Sequence, residues 1–170
     1  ADAYADAALP RYPNFNEADL SDKPALGIFY PNPMSAEVIA SLTEHYRGRM
    51  GSLLAVDDLV AKIDSTLRQA GVRRDTVVIY TSDNGWILGE HRLHDVLTQD
   101  GSAAGVKYVP YEGSARVPLM IAGPGFPKGK TVSNPTVNAD LTKTILALTG
   151  AKAELPQDGR SLRRIARHPD

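Results

Sequence analysis

The chain has 170 residues, 42% hydrophobic and 23% charged, which suits one folded domain with a real core. A formal net charge of −1 excludes a general electrostatic pull toward nucleic acid or an anionic membrane, and no apolar run is long enough to span a bilayer. Cysteine is absent, so disulfides, thiolate metal sites and a cysteine nucleophile are excluded within this sequence.

Residues 1–33 carry Pro10, Pro13, Pro24, Pro31 and Pro33, which forbid a long helix. The expectation is an extended segment draped on other structure. Ser35 reads as an N-cap with Glu37 in the first turn, where the helix dipole favours a carboxylate. A helical pattern then runs to about Ala70, with a possible break at Gly48 and Gly51 and a stop at Gly71. Within it Leu53, Val56, Val60, Ile63 and Leu67 recur at steps of three and four, which predicts a core-facing stripe. "TVVIYT", residues 76–81, is apolar on both faces and β-branched, as in a strand covered on both sides.

Residues 85–112 read as irregular, with "TQDGSAAG" a flexible loop. A second strand is predicted over Val117–Ala122 and a further helix from Asn138 or Asp140 to Leu148, closed by Gly150. The tail "GRSLRRIARHPD" reads as a solvated basic helix. Helix, strand, long loop, strand and helix in this order predict an α/β sheet flanked by helices. The organisation expected is an extended segment over 1–33, an α/β portion over 34–150 and a basic tail over 151–170.

The first strand runs straight into Asp83-Asn84-Gly85. That triplet is strong turn chemistry, and the plain reading is only a turn. The sharper reading is a pair of oxygen ligands for a hard cation, placed where α/β sheets gather ligands, beyond the carboxyl end of a strand. "GPGFPKGKT" imitates a phosphate-binding loop but has three residues, not four, between Gly125 and Gly129-Lys130, so nucleotide binding there is rejected. His91 and His94 in "GEHRLHD" could ligate zinc on a helix, but Gly89 and the loop composition argue against one. An imidazole near an anion is the alternative. Lys107 is either a solvated surface lysine or a cation facing a bound anion, and nothing local separates the two.

Several segments, in order, resemble the C-terminal part of a sulfatase catalytic region. They are "YRGRMGSLLAVDDLV", "TSDNG" with "LGEHRL", the run from Lys107 through "YVPYE" into "ARVPLMIAGPG", and "NADLTKTILALTGA" followed by "DGRSL". "FNEADLSDKP" further resembles glucosamine-6-sulfatase-like members. The resemblance implies an alkaline-phosphatase-like α/β fold. It implies that Asp83 and Asn84 hold a divalent cation, usually Ca²⁺ with Mg²⁺ possible, that Lys107 touches the sulfate and that His91 lies near the same anion. It also implies a formylglycine nucleophile, made from Cys or Ser in a Cys/Ser-x-Pro-x-Arg motif that this sequence lacks.

The expectation is therefore the C-terminal portion of a sulfuric ester hydrolase acting on a sulfated sugar or aryl sulfate, inactive alone. Exposed apolar surface, for example beside Val77–Tyr80, would favour self-association. Two alternatives stay open: a phosphate or phosphonate ester hydrolase of the same superfamily, and a non-catalytic binding or scaffold domain.

Overall fold

The computed structural model describes residues 3–96 and 103–168. The predicted loop over "TQDGSAAG" falls outside the described residues as far as Ser102. The chain divides into two compact units, one of residues 1–66 with 81–119, the other of residues 67–80 with 120–170.

The first unit holds α1 (Pro24–Phe29) and most of α2 (Ala36–Gln69). Pro24 opens α1 at a position where its missing N–H costs nothing. Ser35 caps α2 as expected: its Oγ accepts from the Val38 N–H at 3.3 Å, and its carbonyl accepts from Ile39 N–H at 3.1 Å. The helix is continuous through Gly48 and Gly51, so the predicted break does not occur. It ends on Gly71 in the left-handed region (φ 74°), whose N–H returns to the Arg68 carbonyl at 3.0 Å.

The core of this unit consists of Leu9, Met34, Leu42 and Ala103, with Phe15, Val38, Ile39, Tyr46 and Leu88 packed against it. So α2 buries its first half, through Val38, Ile39, Leu42 and Tyr46. The stripe predicted as core is largely exposed instead: Leu53 is 47%, Val60 40% and Ile63 42% accessible, with Val56 and Leu67 half-buried. Periodicity shows that residues share a face. It does not supply the element that covers the face, and no described residue of the unit covers this one.

Residues 1–33, read as extended, include the helix α1 and contribute buried side chains through Leu9 and Leu20. Residues 85–112, read as irregular, contain two short strands, β2 (Asp95–Val96) and β3 (Ala103–Ala104). They pair antiparallel with Asp95 opposite Ala104 and Val96 opposite Ala103. The short helix α3 (Glu112–Ala115) follows. Ser41 fastens α2 to β3, its Oγ donating to the Ala103 carbonyl at 2.9 Å and accepting from the Ala103 N–H at 2.8 Å.

The second unit contains a 3₁₀ turn (Arg73–Asp75), the helices α4 (Asn138–Thr149) and α5 (Leu162–Arg167), and the greater part of two paired strands, β1 (Val78–Thr81) and β4 (Leu119–Ala122). Val77–Tyr80 are half-buried, not covered on both sides. Val137 caps α4 and, being apolar, offers no acceptor, so only one arm of a capping box forms: Asp140 Oδ2 accepts from the Val137 N–H at 3.0 Å. Asp140 Oδ1 accepts from the Arg160 N–H at 2.6 Å, and Thr144 Oγ accepts from the Leu162 N–H at 2.8 Å. Both side chains are buried.

The tail is therefore docked rather than solvated. Leu162 is buried, Arg160 donates to the Pro135 carbonyl at 2.8 Å, and Arg167 Nε donates to the Gly125 carbonyl at 3.1 Å. Charge content alone suggested a free basic helix. Two buried acceptors on α4, the Asp140 carboxyl group and the Thr144 hydroxyl, decide otherwise.

Candidate active site

β1 stops at Thr81, and Ser82–Gly85 form a tight, self-bonded turn. Asp83 Oδ1 accepts from the Asn84 N–H at 2.9 Å, and Ser82 Oγ donates to the Asn84 carbonyl at 2.8 Å. The Asn84 amide nitrogen donates to the Gly85 carbonyl at 2.7 Å, which leaves its Oδ1 as the free end. Gly85 is required, but not for a left-handed turn, since its φ is not positive. The Gly85 N–H donates to the Ser114 carbonyl at 2.7 Å, and a Cβ there would overlap the Gly113 carbonyl oxygen. Close approach of α3 to the turn is the reason for the glycine.

Lys107 reaches the same region through a local ladder. Ile87 and Val106 exchange antiparallel backbone bonds at 2.8 and 2.9 Å. In an antiparallel pair the next residue back on one strand faces the next residue forward on the other, so Trp86 and Lys107 become neighbours. Lys107 Nζ lies 5.8 Å from the Trp86 ring centroid and 4.7 Å from that of Tyr108. The hydrogen bond with Tyr108 holds the Lys107 pKa above its ordinary value. The Asp83 carboxylate acts in the same direction, while burial and Arg49 oppose it. The structure thus brings Asp83, Asn84 and Lys107 into one region.

His91 is held elsewhere in the unit. Its Nδ1 is 2.7 Å from Glu17 Oε2, its Nε2 is 3.3 Å from the Asn14 amide nitrogen, and its ring packs on Tyr111 with centroids 4.3 Å apart. His91 also has φ 55°, in the left-handed region, and its N–H donates to the Asn14 carbonyl at 2.7 Å. The hydrogen bond from His91 is the main reason the Glu17 carboxyl sits below its ordinary pKa, with Lys23 adding to it. Next to it, buried Arg92 donates to the carbonyls of Glu17, Ala18, Tyr30 and Pro31. The "GEHRL" stretch therefore clasps residues 14–18 and 30–31. His94 packs against Tyr30, with centroids 5.4 Å apart, and forms no metal cluster with His91 among the described residues.

Three residues beside the turn escaped the sequence reading: Trp86, Arg49 and His45. Arg49 Cζ lies 4.4 Å from the Trp86 ring centroid, and the His45 ring stacks on the indole at 5.9 Å with planes 7° apart. The available signals were that Trp86 is the only tryptophan and directly follows Gly85, and that His45 and Arg49 lie one helical turn apart.

The donor set suits a hard cation. Asp83 is exposed, and neither its Oδ2 nor Asn84 Oδ1 makes a hydrogen bond among the described residues. Two such oxygens are a part of the six to eight that Ca²⁺ takes. No group of three or more His, Asp or Glu side chains converges on a metal-sized site among the described residues. No helix among them is long and apolar enough to cross a membrane.

Comparison with known proteins bears on the family and the fold. The Sulfatase family model matches residues 3–151. An arylsulfatase of Volvox carteri is 36% identical over 156 residues, covering 87% of this chain and 22% of that protein. The N-acetylglucosamine-6-sulfatase of Homo sapiens is 34% identical over 166 residues, covering 97% of this chain and 28% of that protein. A solved structure described as a complex with its substrate D-glucosamine-2-N,6-O-disulfate superposes with a TM-score of 0.61 at 29% identity, over 74% of this chain and 23% of that one. The chain spans 22%, 35% and 23% of the length of three such relatives. Its fold is that of part of an alkaline-phosphatase-like α/β domain, as the sequence led one to expect. Matched over most of its length by the family model, with an oxygen-rich turn and a lysine brought together beyond its first strand, the chain belongs to the sulfatase family.

Proposed function

We propose that this chain forms the C-terminal portion of a sulfuric ester hydrolase acting on a sulfated sugar or an aryl sulfate. In this reading Asp83 and Asn84 are two ligands of a divalent cation, Ca²⁺ or Mg²⁺, and Lys107 binds the sulfate. The remaining cation ligands and a formylglycine nucleophile come from chain outside this sequence, and these 170 residues alone are inactive. The observation that carries the reading is that Lys107 Nζ lies 5.8 Å from the ring of Trp86, the residue that directly follows the Asp83-Asn84-Gly85 turn.

A divalent cation would supply fixed positive charge to the ester's oxygens, and formylglycine would supply the attacking hydroxyl. The chain's own residues bind and orient. Lys107, kept protonated by Tyr108 and Asp83, offers N–H donors to a sulfate oxygen. It stabilises negative charge that grows as the ester bond breaks, so its interaction is stronger in the transition state than in the bound substrate. The Gly85–Ser114 bond holds the turn rigid, so little reorganisation is needed during reaction. His91, with Nδ1 on Glu17 and Nε2 on Asn14, holds residues 14–17 in this reading rather than touching the sulfate itself.

The test is made in the complete enzyme. Asp83→Ala and Lys107→Ala should each lower kcat/KM for a sulfate ester by about a hundredfold or more while the circular dichroism spectrum is unchanged. Full activity in Asp83→Ala would overturn the ligand assignment. The exposed apolar face of α2 (Leu53, Val60, Ile63) would drive self-association of the isolated chain. A monomer at high concentration in analytical ultracentrifugation would count against that part.

A further inference from the structure

The indole of Trp86 gathers more positive charge than its described surroundings neutralise. Arg49 Cζ at 4.4 Å and Lys107 Nζ at 5.8 Å both fall within the range of a cation–π contact. Among the described residues neither cation closes an ion pair with a carboxylate. Asp83 acts on Lys107 only through its field, and Arg49 opposes the Lys107 charge. Arg49 is exposed and Lys107 half-buried, so both cations beside the indole stay open to an anion from solvent.

The arrangement is also built rather than incidental. A Cβ on Gly105 would overlap the Trp86 Nε1 and the Ile87 carbonyl oxygen, so the indole's seat depends on a residue without a side chain. Trp86 Nε1 and His45 Nε2 are buried with no hydrogen-bond partner. Both atoms have given up water to place the ring where it lies. His45 holds the indole from α2, one turn before Arg49 on the same helix.

We propose that Arg49 is a second anion-binding residue of this site, beside Lys107, and that Trp86 is the positioning residue that holds the two cations at one spacing. Guanidinium suits the task, because its planar fork can take two oxygens of one tetrahedral anion. That the anion is the sulfate of an ester rests on the sulfatase reading above. The pairing of Arg49 with Lys107 through Trp86 rests on the geometry alone.

Trp86, the chain's only tryptophan, is its own reporter. The 170-residue chain is titrated with sodium sulfate, using sodium chloride at matched ionic strength as the control, while indole fluorescence is followed. The expected result is a saturable change with sulfate only. By calorimetry, Arg49→Gln should weaken sulfate binding roughly tenfold, and Arg49→Lys should restore part of the loss. Trp86→Ala should weaken binding as much as Arg49→Gln, and Trp86→Phe should retain most of it. Arg49 is exposed, so its substitution leaves folding intact, and circular dichroism confirms this for every variant.

The proposal is overturned if wild type shows no saturable response, or if Arg49→Gln or Trp86→Ala binds sulfate as wild type does. If Lys107→Gln alone loses affinity, Arg49 is excluded while the sulfate reading stands. If the Arg49 effect appears but Asp83→Ala leaves the complete enzyme fully active, the anion subsite stands and the cation-ligand reading falls.

Discussion

Arg92 Nε donates to the carbonyl oxygen of Glu17 at 2.7 Å, across 75 positions of sequence. The same guanidinium reaches Ala18 at 2.7 Å, Pro31 at 3.0 Å and Tyr30 at 3.2 Å, so one buried cation satisfies four carbonyls. A guanidinium carries five N–H donors on three nitrogens in one plane, an ammonium only three on one nitrogen.

Arg92→Ala should therefore cost roughly 3 kcal/mol of folding stability, because four part-buried carbonyls lose their donors together. Arg92→Lys should recover less than half of that. Urea denaturation followed by circular dichroism measures both. A loss below about 1 kcal/mol in Arg92→Ala would mean that water replaces the guanidinium freely.

In the second unit Asp140 is the corresponding knot. Its two oxygens accept from Val137 and Arg160 N–H groups, and it is only 2% accessible. Asp140→Ala should destabilise the chain by about 1–3 kcal/mol, since two part-buried N–H groups lose their acceptor. Thr144→Val, which removes the acceptor for Leu162 N–H, should cost about 1–2 kcal/mol. Hydrogen exchange should show early loss of protection at Arg160 and Leu162 in both variants. Unchanged protection there would refute the docking role of the pair.

His45 gives a pH dependence with a definite sign. Burial, and then the nearby Arg49 charge, pull its pKa below the ordinary histidine value. The folded chain thus favours neutral His45. The stability it contributes is complete above pH of about 6.5 and is lost as pH falls through the lower folded value. Because the imidazole stacks on Trp86 and its protonated form quenches indole emission, fluorescence should fall with a midpoint below about 6.5. The midpoint should rise in Arg49→Gln, and the step should vanish in His45→Gln. A midpoint at or above the ordinary value in wild type would contradict the assignment.

The local features were readable because they depend on neighbours in sequence. Ser35 and Gly71 bound α2, Gly150 closes α4 in the left-handed region (φ 71°), and Asp83-Asn84 end a strand as an oxygen pair. What was missed depends on partners far along the chain. The Leu53–Leu67 stripe has the period of a buried face yet lies open, since spacing cannot tell whether a covering element exists. Arg92 was not singled out, and Asp140 was read only as a helix start, because the Glu17 carbonyl and the Arg160 N–H they satisfy belong to other segments.

By itself, then, the sequence determined where helices begin and stop and which residue types stand beyond the first strand, because capping, backbone freedom and side-chain chemistry act over a few residues. Only the tertiary structure decided which charges meet. The Ile87–Val106 ladder carries Lys107 to Trp86, and helix α2 brings Arg49 to the same ring. Electrostatic interaction depends on distance through space, and no count of residues between two charges contains that distance.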